Sequence, residues 1–208
     1  MVEAKIYSLA ALLTLVLVLS SLYMNYYVSE IKQKELQEKY DSINKLLSSS
    51  QLEFEYLGNS NNSCDLLNES VNITRTNLIG INRKLEEYKE YMISDSEFNR
   101  LKTEQTILYV KIWMLSNQIK ERCDMKFTTV LYLWDTDLES KQQGYILDAI
   151  REDHQDDLLV IPLDYNFNIG IINLIKKDHD VTSAPTIIIN EQTKLVGLQN
   201  RETIEKLL

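Results

Sequence analysis

An uncharged apolar segment near the amino terminus, Ile6–Tyr27, constrains the fold of this 208-residue chain more than any other feature. At a helical rise of 1.5 Å per residue, about 20 apolar residues cross the ~30 Å hydrocarbon core of a bilayer. Tyr23, Tyr26 and Tyr27 cluster at one end of the segment, where aromatic rings favour the lipid headgroups. We therefore expect residues 6–27 to contact membrane lipid.

A cleaved signal peptide is the alternative interpretation of this segment. The run is long for the apolar core of a signal peptide and lacks a small-residue cleavage site followed by turn residues. We therefore predict an uncleaved transmembrane signal anchor over residues 1–28. The flanking charges do not set its orientation, because Lys5 is offset by Glu3 and the lysines that follow the segment lie among glutamates.

The chain as a whole is acidic, with a formal net charge of −9 and an isoelectric point near 4.8. This charge argues against the basic surface that nucleic-acid binding requires, so we expect no nucleic-acid partner. The sequence also contains no phosphate-binding loop, nucleotide fingerprint or nucleophile-and-base pattern. We therefore expect no cofactor and no enzymatic activity.

An amphipathic stalk is predicted after the anchor, over residues 29–55. Leu36, Tyr40, Ile43 and Leu47 follow the 4-3-4 spacing of a helix with one apolar face. The segment 48–64 is rich in Ser and Asn and contains Gly58, which predicts a loop that ends this helix.

Two further apolar seams predict a helical hairpin over residues 56–124. Both seams keep the 3-4 alternation of helices that pack lengthwise. Ser94–Glu97, with the sequence SDSE, is typical of a capping box and places the turn between the two helices. Gln105 interrupts the second seam, where one polar residue sets register. The seams comprise Val71, Leu78, Ile81, Leu85, Tyr88 and Met92, then Phe98, Leu101, Leu108, Ile112, Leu115 and Ile119.

The two cysteines of the chain, Cys64 and Cys123, lie at nearly equal distances from the predicted turn. In an antiparallel hairpin such positions meet, close enough for the Cα separation of roughly 4.4–6.8 Å that a disulfide requires. Two unpaired buried thiols are the alternative. A Cys64–Cys123 disulfide would indicate an oxidising compartment.

Three closely spaced N-x-Ser/Thr sequons begin at Asn61, Asn68 and Asn72. A single sequon is weak evidence, but three beside a polar segment and a candidate disulfide favour glycosylation. We therefore predict that the region after the anchor lies outside the cytoplasm, at the cell surface or in a lumen. A cytosolic chain rich in Asn is the alternative.

Beyond Lys126, short apolar segments alternate with amphipathic ones. Four apolar segments predict strands, namely FTTVLYLW, LLVIPLDY, PTIII and TKLVGL. The amphipathic segments after the first, second and fourth of them predict helices. The resulting order is βαβαββα. Alternating strands and helices predict parallel members in the sheet, and the NEQT turn predicts an antiparallel hairpin at one edge. We place this α/β domain at residues 125–208.

This element order, together with V-x-S-x-P-T before the third strand and ILDAI in the first helix of the domain, resembles the thioredoxin-like superfamily. The resemblance implies a cis bond between Ala184 and Pro185. It also implies that the backbone before the proline pairs with a bound peptide. Ser183, Ala184, Pro185 and Thr186 are accordingly the candidate peptide-binding residues.

The family's C-x-x-C motif falls on Asp137, Leu138, Glu139 and Ser140. Thiol–disulfide exchange requires a thiolate, which none of these residues supplies, so we expect the redox chemistry to be absent. Asp135, Asp137 and Glu139 are typical of a helix start, where carboxylates accept bonds from free amides. A divalent-ion site is the alternative, but no histidine is paired with these acids, and we expect no metal.

These features together predict a membrane-tethered, non-catalytic thioredoxin-like module that presents a binding surface for a protein or an extended peptide. From Lys126 onward, 14 acidic residues against 8 basic ones favour a basic partner. One alternative is a structural subunit of a larger membrane complex, or a homo-oligomer, that assembles through its helices. The other is a thiol–disulfide oxidoreductase that uses Cys64 and Cys123.

Overall fold

The computed structural model describes residues 2–60, 63–91 and 95–208. Within these residues the protein is mostly helical and contains one four-stranded mixed sheet. The chain divides into two compact units, Met1–Gln51 and Leu52–Leu208. The domain boundaries expected from the sequence remain a prediction.

Helix α1 (Val2–Asn59) contains the apolar segment. Its part Leu12–Lys34 is, in the portion of the chain that the structure describes, the one helix long and apolar enough to cross a membrane. None of this span is buried within the protein, and large side chains such as Leu17 and Met24 are about two thirds exposed, at 67% and 63%. Burial of such apolar side chains away from water is favourable, and the length of the span matches the hydrocarbon core of a bilayer.

The predicted loop over residues 48–64 is wrong for most of its length, because α1 continues to Asn59. Phe54 and Leu57 extend the helical spacing of apolar residues, and Leu57 is only 2% exposed. Leu57 packs in a cluster with Leu67, Val71, Leu115 and Ile119. Burial of this apolar face outweighs the weak helix propensities of the serines and of Gly58.

Helices α2 (Ser63–Tyr91) and α3 (Asp95–Cys123) pack against each other, as the two seams predict. The described members of both seams are buried or half-buried. The Gln105 side-chain amide donates to Asn82 Oδ1 at 2.8 Å, a polar contact between the two helices that suits a register-setting role. Met92 and Ser94, and with Ser94 the predicted capping box, lie outside the described residues.

The order βαβαββα predicted for the carboxyl-terminal region is confirmed, with one additional 3-10 turn before the second strand. Strand pairing follows the order β2-β1-β3-β4, in which β1 and β2 are parallel and the other two pairs are antiparallel. The elements are β1 (Thr128–Trp134), α4 (Leu138–His154), the 3-10 turn (Gln155–Asp157), β2 (Leu158–Asp164), α5 (Gly170–Asp178), β3 (Thr186–Ile189), β4 (Thr193–Val196) and α6 (Arg201–Glu205).

The sheet is buried because apolar residues fill its central strands. Val130, Ile187 and Ile189 pack with Leu147 and Ile150 of α4 in one continuous core. Strand β2 lies at an edge of the sheet, which explains how it accommodates Pro162. Proline has no backbone N–H to donate, and an edge strand forms hydrogen bonds on one side only.

Helix α3 connects the two parts of the second unit. It contacts α2 on one side and β1 and β2 on the other. Buried residues consequently occur around much of its circumference, including Leu108, Val110, Ile112 and Ser116. This placement brings α3 beside the carboxyl ends of β1 and β2.

Candidate binding surface at the carboxyl end of strand β1

The four residues Asp137–Ser140, which stand where the C-x-x-C would lie, form the start of α4. Asp137 is the N-cap, and its Oδ1 accepts from the Ser140 amide at 2.6 Å. The Ser140 hydroxyl oxygen accepts in turn from the Asp135 amide at 2.9 Å, and Ser140 is only 1% exposed. Asp137 and Ser140 therefore stabilise the helix start, as expected for an acid at this position.

The remaining residues of this segment differ in exposure. Leu138 is 70% exposed and Glu139 is exposed in the first turn of α4. The pKa of Asp135 is lowered, first because its carboxylate accepts from the Thr136 amide and second through the side chain of Asn166. In the described parts of the chain, no group of three or more His, Cys, Asp or Glu residues is arranged to hold a metal ion.

Tyr132 of β1 forms a hydrogen bond with the start of α4. Its hydroxyl donates to the carbonyl oxygen of Ser140. Burial, followed by the nearby charge of Asp137, raises the pKa of Tyr132 to about 12. The phenol is therefore neutral, and a donor, throughout the physiological pH range.

The segment Ser183–Thr186 reaches the same end of the sheet. Because β3 runs antiparallel to β1 and Thr186 pairs with Leu133, the segment before β3 lies at the carboxyl end of β1, where the chain leads into α4. The Ala184–Pro185 bond is cis, as the resemblance implies. The two segments expected to form a site are thus at the same edge.

Some backbone groups of this segment are hydrogen-bonded within the protein and others are not. The Pro185 carbonyl accepts from the Gly197 amide at 2.8 Å, and the Ser183 carbonyl accepts from the Thr186 hydroxyl at 2.7 Å. Among the residues that the structure describes, none pairs with the N–H or the C=O of Ala184. Ser183 is exposed and Ala184 is half-buried, so this segment is partly accessible to a ligand.

A cavity of about 470 Å³, here called the α3 cavity, opens beside the start of α4. Trp134, Asp135, Thr136 and Ser140 line one side of it. The opposite side comes from α3, a contribution that the sequence did not predict because it depends on how α3 packs against the sheet. The α3 residues are Lys102, Gln105, Thr106 and Tyr109.

The predicted disulfide joins Cys64, in the first turn of α2, to Cys123, the last residue of α3, with a Cα–Cα distance of 5.7 Å. The equal spacing of the two cysteines from the hairpin turn is the signal that located it. Both thiols of the chain are therefore combined in one bond.

Two of the three sequon asparagines, Asn68 and Asn72, are exposed on α2, and Asn61 lies outside the described residues. The hydroxyl residues of the two visible sequons point inward. Ser70 donates to Glu53, and the Thr74 hydroxyl donates to the Ser70 carbonyl at 2.7 Å. The asparagine side chains remain accessible on the opposite face of the helix.

No protein-family model matches the chain, and no curated protein is significantly similar to it.

Proposed function

We propose that this protein is a membrane-tethered, non-catalytic binding module of the thioredoxin-like class that holds an extended segment of another protein outside the cytoplasm. Its acidic character favours a basic partner. The apolar part of α1 serves as the membrane anchor and contacts lipid.

The strand arrangement supports the assignment to the thioredoxin-like class. A pair of parallel strands, β1 and β2, is joined through α4, and β3 and β4 continue the sheet as an antiparallel hairpin. The segment that precedes β3 carries the proline on which the resemblance rests. The element order, the strand order and the position of the proline all support the thioredoxin-like assignment.

The observation that carries the binding function is the pair of free backbone groups on Ala184. In an antiparallel pair, one residue exchanges both its N–H and its C=O with a single residue of the opposite segment. A residue that offers both groups at an accessible edge is suited to adding an extended segment through main-chain bonds. Such binding requires no thiol.

The non-catalytic assignment follows from the residues at the start of α4. Asp137 and Ser140 are engaged in capping, and neither can form the mixed disulfide through which exchange proceeds. The Cys64–Cys123 bond joins the outer ends of two long helices, a position that favours a structural role over a redox one.

The extracytoplasmic assignment is supported by two independent features. A disulfide persists in an oxidising compartment, and the accessible Asn68 and Asn72 suit glycosylation there.

Cross-linking from Ser183 tests the binding function, because both natural cysteines are paired and one introduced cysteine is the only free thiol. The full-length Ser183→Cys variant is labelled in native membranes with a maleimide that carries a photoreactive benzophenone. Lys177→Cys, at an exposed site on α5, is the matched control.

We expect a discrete cross-linked protein from Ser183→Cys that is absent from Lys177→Cys. Mass spectrometry of the product should locate the contact in an extended segment of the partner. Equal products from both positions, or none from either, would refute the proposed site.

A further inference from the structure

The α3 cavity has an aromatic lining of three residues that come from two different elements. Tyr109 comes from α3, and Tyr132 and Trp134 come from alternate positions of β1. The Tyr132 hydroxyl is already bonded to Ser140, so this residue offers the cavity its ring rather than a polar group. Aromatic walls of this kind favour an aromatic guest in offset or edge-to-face contact.

The charges inside the cavity compensate one another. Lys102 forms an ion pair with Asp164, and its ammonium lies 5.8 Å from the centroid of the Trp134 ring and 5.0 Å from that of Phe167. The Lys102 ammonium therefore already lies over the Trp134 indole, and the Asp164 carboxylate neutralises its charge. The group that enters this cavity is best uncharged.

The rim of the cavity is acidic. The residue Asp135, just before α4, lines the cavity, and the exposed Asp137 and Glu139 follow it in sequence, whereas Lys141 is the basic residue of this segment. An excess of carboxylates beside an apolar cavity favours a ligand in which a positive charge adjoins an aromatic group.

A second cavity of about 320 Å³ extends the first one along the hairpin. The two cavities share Lys102, Gln105 and Trp134, and the second is completed by Leu85 and Phe98 of α2 and α3. Their lining residues together extend from α4 across α3 to α2, and we treat the two cavities as one groove with room for an extended chain.

We propose that this groove, formed by the α3 cavity and its extension, binds an extended protein segment that inserts an aromatic side chain between Tyr109 and Trp134 and places a neighbouring Lys or Arg against the acidic start of α4. The proposal rests on the proposed function only in taking the ligand to be a protein segment. The groove is a second contact region beside the backbone groups of Ala184.

The test uses the full-length chain in lipid nanodiscs and a displayed library of random dodecapeptides as the probe. The chain has two tryptophans, so Trp113→Phe leaves Trp134 as the only indole, and its fluorescence reports directly on the groove. Selected peptides are synthesised and titrated against this single-tryptophan protein. We expect them to share an aromatic residue next to Lys or Arg and to change the Trp134 emission.

Gly144→Leu is the variant that fills the groove. Gly144 lines the α3 cavity in the interior of α4, and a Cβ there would meet only the Tyr132 ring at 3.8 Å, an ordinary contact. Leucine also favours the helix more than glycine does. Gly80→Leu, in α2 with no atom within 4 Å of an added Cβ, is the matched control.

We expect Gly144→Leu to weaken peptide binding by about tenfold or more and Gly80→Leu to leave it unchanged. Thermal unfolding followed by circular dichroism verifies that each variant folds. If Gly144→Leu fails to fold, Tyr109→Leu replaces it and is expected to abolish the preference for aromatic peptides.

The groove proposal is overturned if no peptide is enriched, if the enriched peptides lack an aromatic residue, or if the groove-filling variant binds them as tightly as its control. A bulky maleimide on Ser183→Cys separates the two proposals. Binding blocked by this adduct but unaffected by Gly144→Leu refutes the groove and supports the Ala184 site. The reverse pattern supports the groove, and cross-linking from Ser183 then decides the Ala184 site separately.

Discussion

At the scale of single residues, the start of α4 carries a helix cap at the position that the resemblance aligns with the C-x-x-C motif. Asp137 accepts from the amide of Ser140, and the Ser140 hydroxyl accepts from the amide of Asp135. Asp137 thereby satisfies an amide that the helix itself leaves unpaired, and Ser140 fixes the residue at which the chain approaches the helix. These residues therefore stabilise the start of the helix, and in the proposed function the partner is bound by groups beside them.

The first prediction concerns this cap. Asp137→Ala removes the carboxylate that accepts from Ser140 and is expected to lower the free energy of unfolding by about 1 kcal/mol. Urea denaturation of the full-length chain measures the change. Glu139→Gln, an exposed first-turn substitution, is the control and should cost no more than a few tenths of a kcal/mol. Equal losses from both variants would contradict a capping role for Asp137.

The second prediction concerns Tyr132, whose pKa is raised to about 12 from an ordinary value of about 10. Because the folded state holds the proton more tightly, this stabilisation is complete below pH 10 and is lost as the pH rises through 12. Tyr132→Phe should therefore remove about 1 to 2 kcal/mol of the alkaline decrease in stability. The measurement is the difference between the stability profiles of the two proteins, and parallel profiles across this pH window would contradict it.

At the scale of secondary-structure elements, sequence patterns predicted the helices and strands whose apolar residues recur with a regular local spacing. The two seams located α2 and α3, and the apolar segments located all four strands. The loop expected over 48–64 failed because Leu57 is buried against residues distant in sequence, which no local propensity reveals.

One part of the candidate site could likewise be predicted from the sequence, and another part could not. The resemblance placed Pro185 and the start of α4 at one edge of the sheet. The α3 cavity could not be predicted, since it depends on contacts such as the ion pair of Lys102 with Asp164, 62 residues further along the chain.

The third prediction concerns the disulfide, which joins residues separated by 59 positions. The chain-entropy relation gives an upper value of about 4 kcal/mol for such a loop, and residual structure in the unfolded chain reduces it. The double variant Cys64→Ser/Cys123→Ser should lower the free energy of unfolding by about 2 to 4 kcal/mol. Because α3 contacts both α2 and the sheet, the loss should affect the whole unit Leu52–Leu208.

Denaturant unfolding measures this loss, and reduction of the native protein with a phosphine should reproduce it. A double variant as stable as the oxidised protein would show that the bond contributes nothing to the fold.

At the scale of the whole molecule, the chain combines a helix that is apolar enough to cross a membrane with a compact unit, Leu52–Leu208. The apolar span consists largely of exposed residues that water does not favour. The compact unit carries the disulfide, the accessible asparagines and the candidate surface. In the proposed function, a membrane anchor would raise the local concentration of this surface for partners in the same membrane.

The fourth prediction tests this orientation by translating the full-length chain in the presence of sealed microsomes. Residues 52–208 should resist added protease until detergent opens the vesicles. The chain should also carry N-glycans, and Asn68→Gln/Asn72→Gln should lower their number. Digestion without detergent, together with an unglycosylated chain, would place this unit on the cytoplasmic side.

The central claim is that the main chain of Ala184 pairs with an extended segment of a partner. Residue-resolved amide hydrogen exchange tests it most directly, with the segment identified by cross-linking from Ser183 added to the full-length protein in nanodiscs. Main-chain pairing predicts that exchange of the Ala184 amide slows markedly on binding, while that of the already bonded Gly197 amide changes little. An Ala184 amide whose exchange is unchanged at saturating segment would contradict the claim.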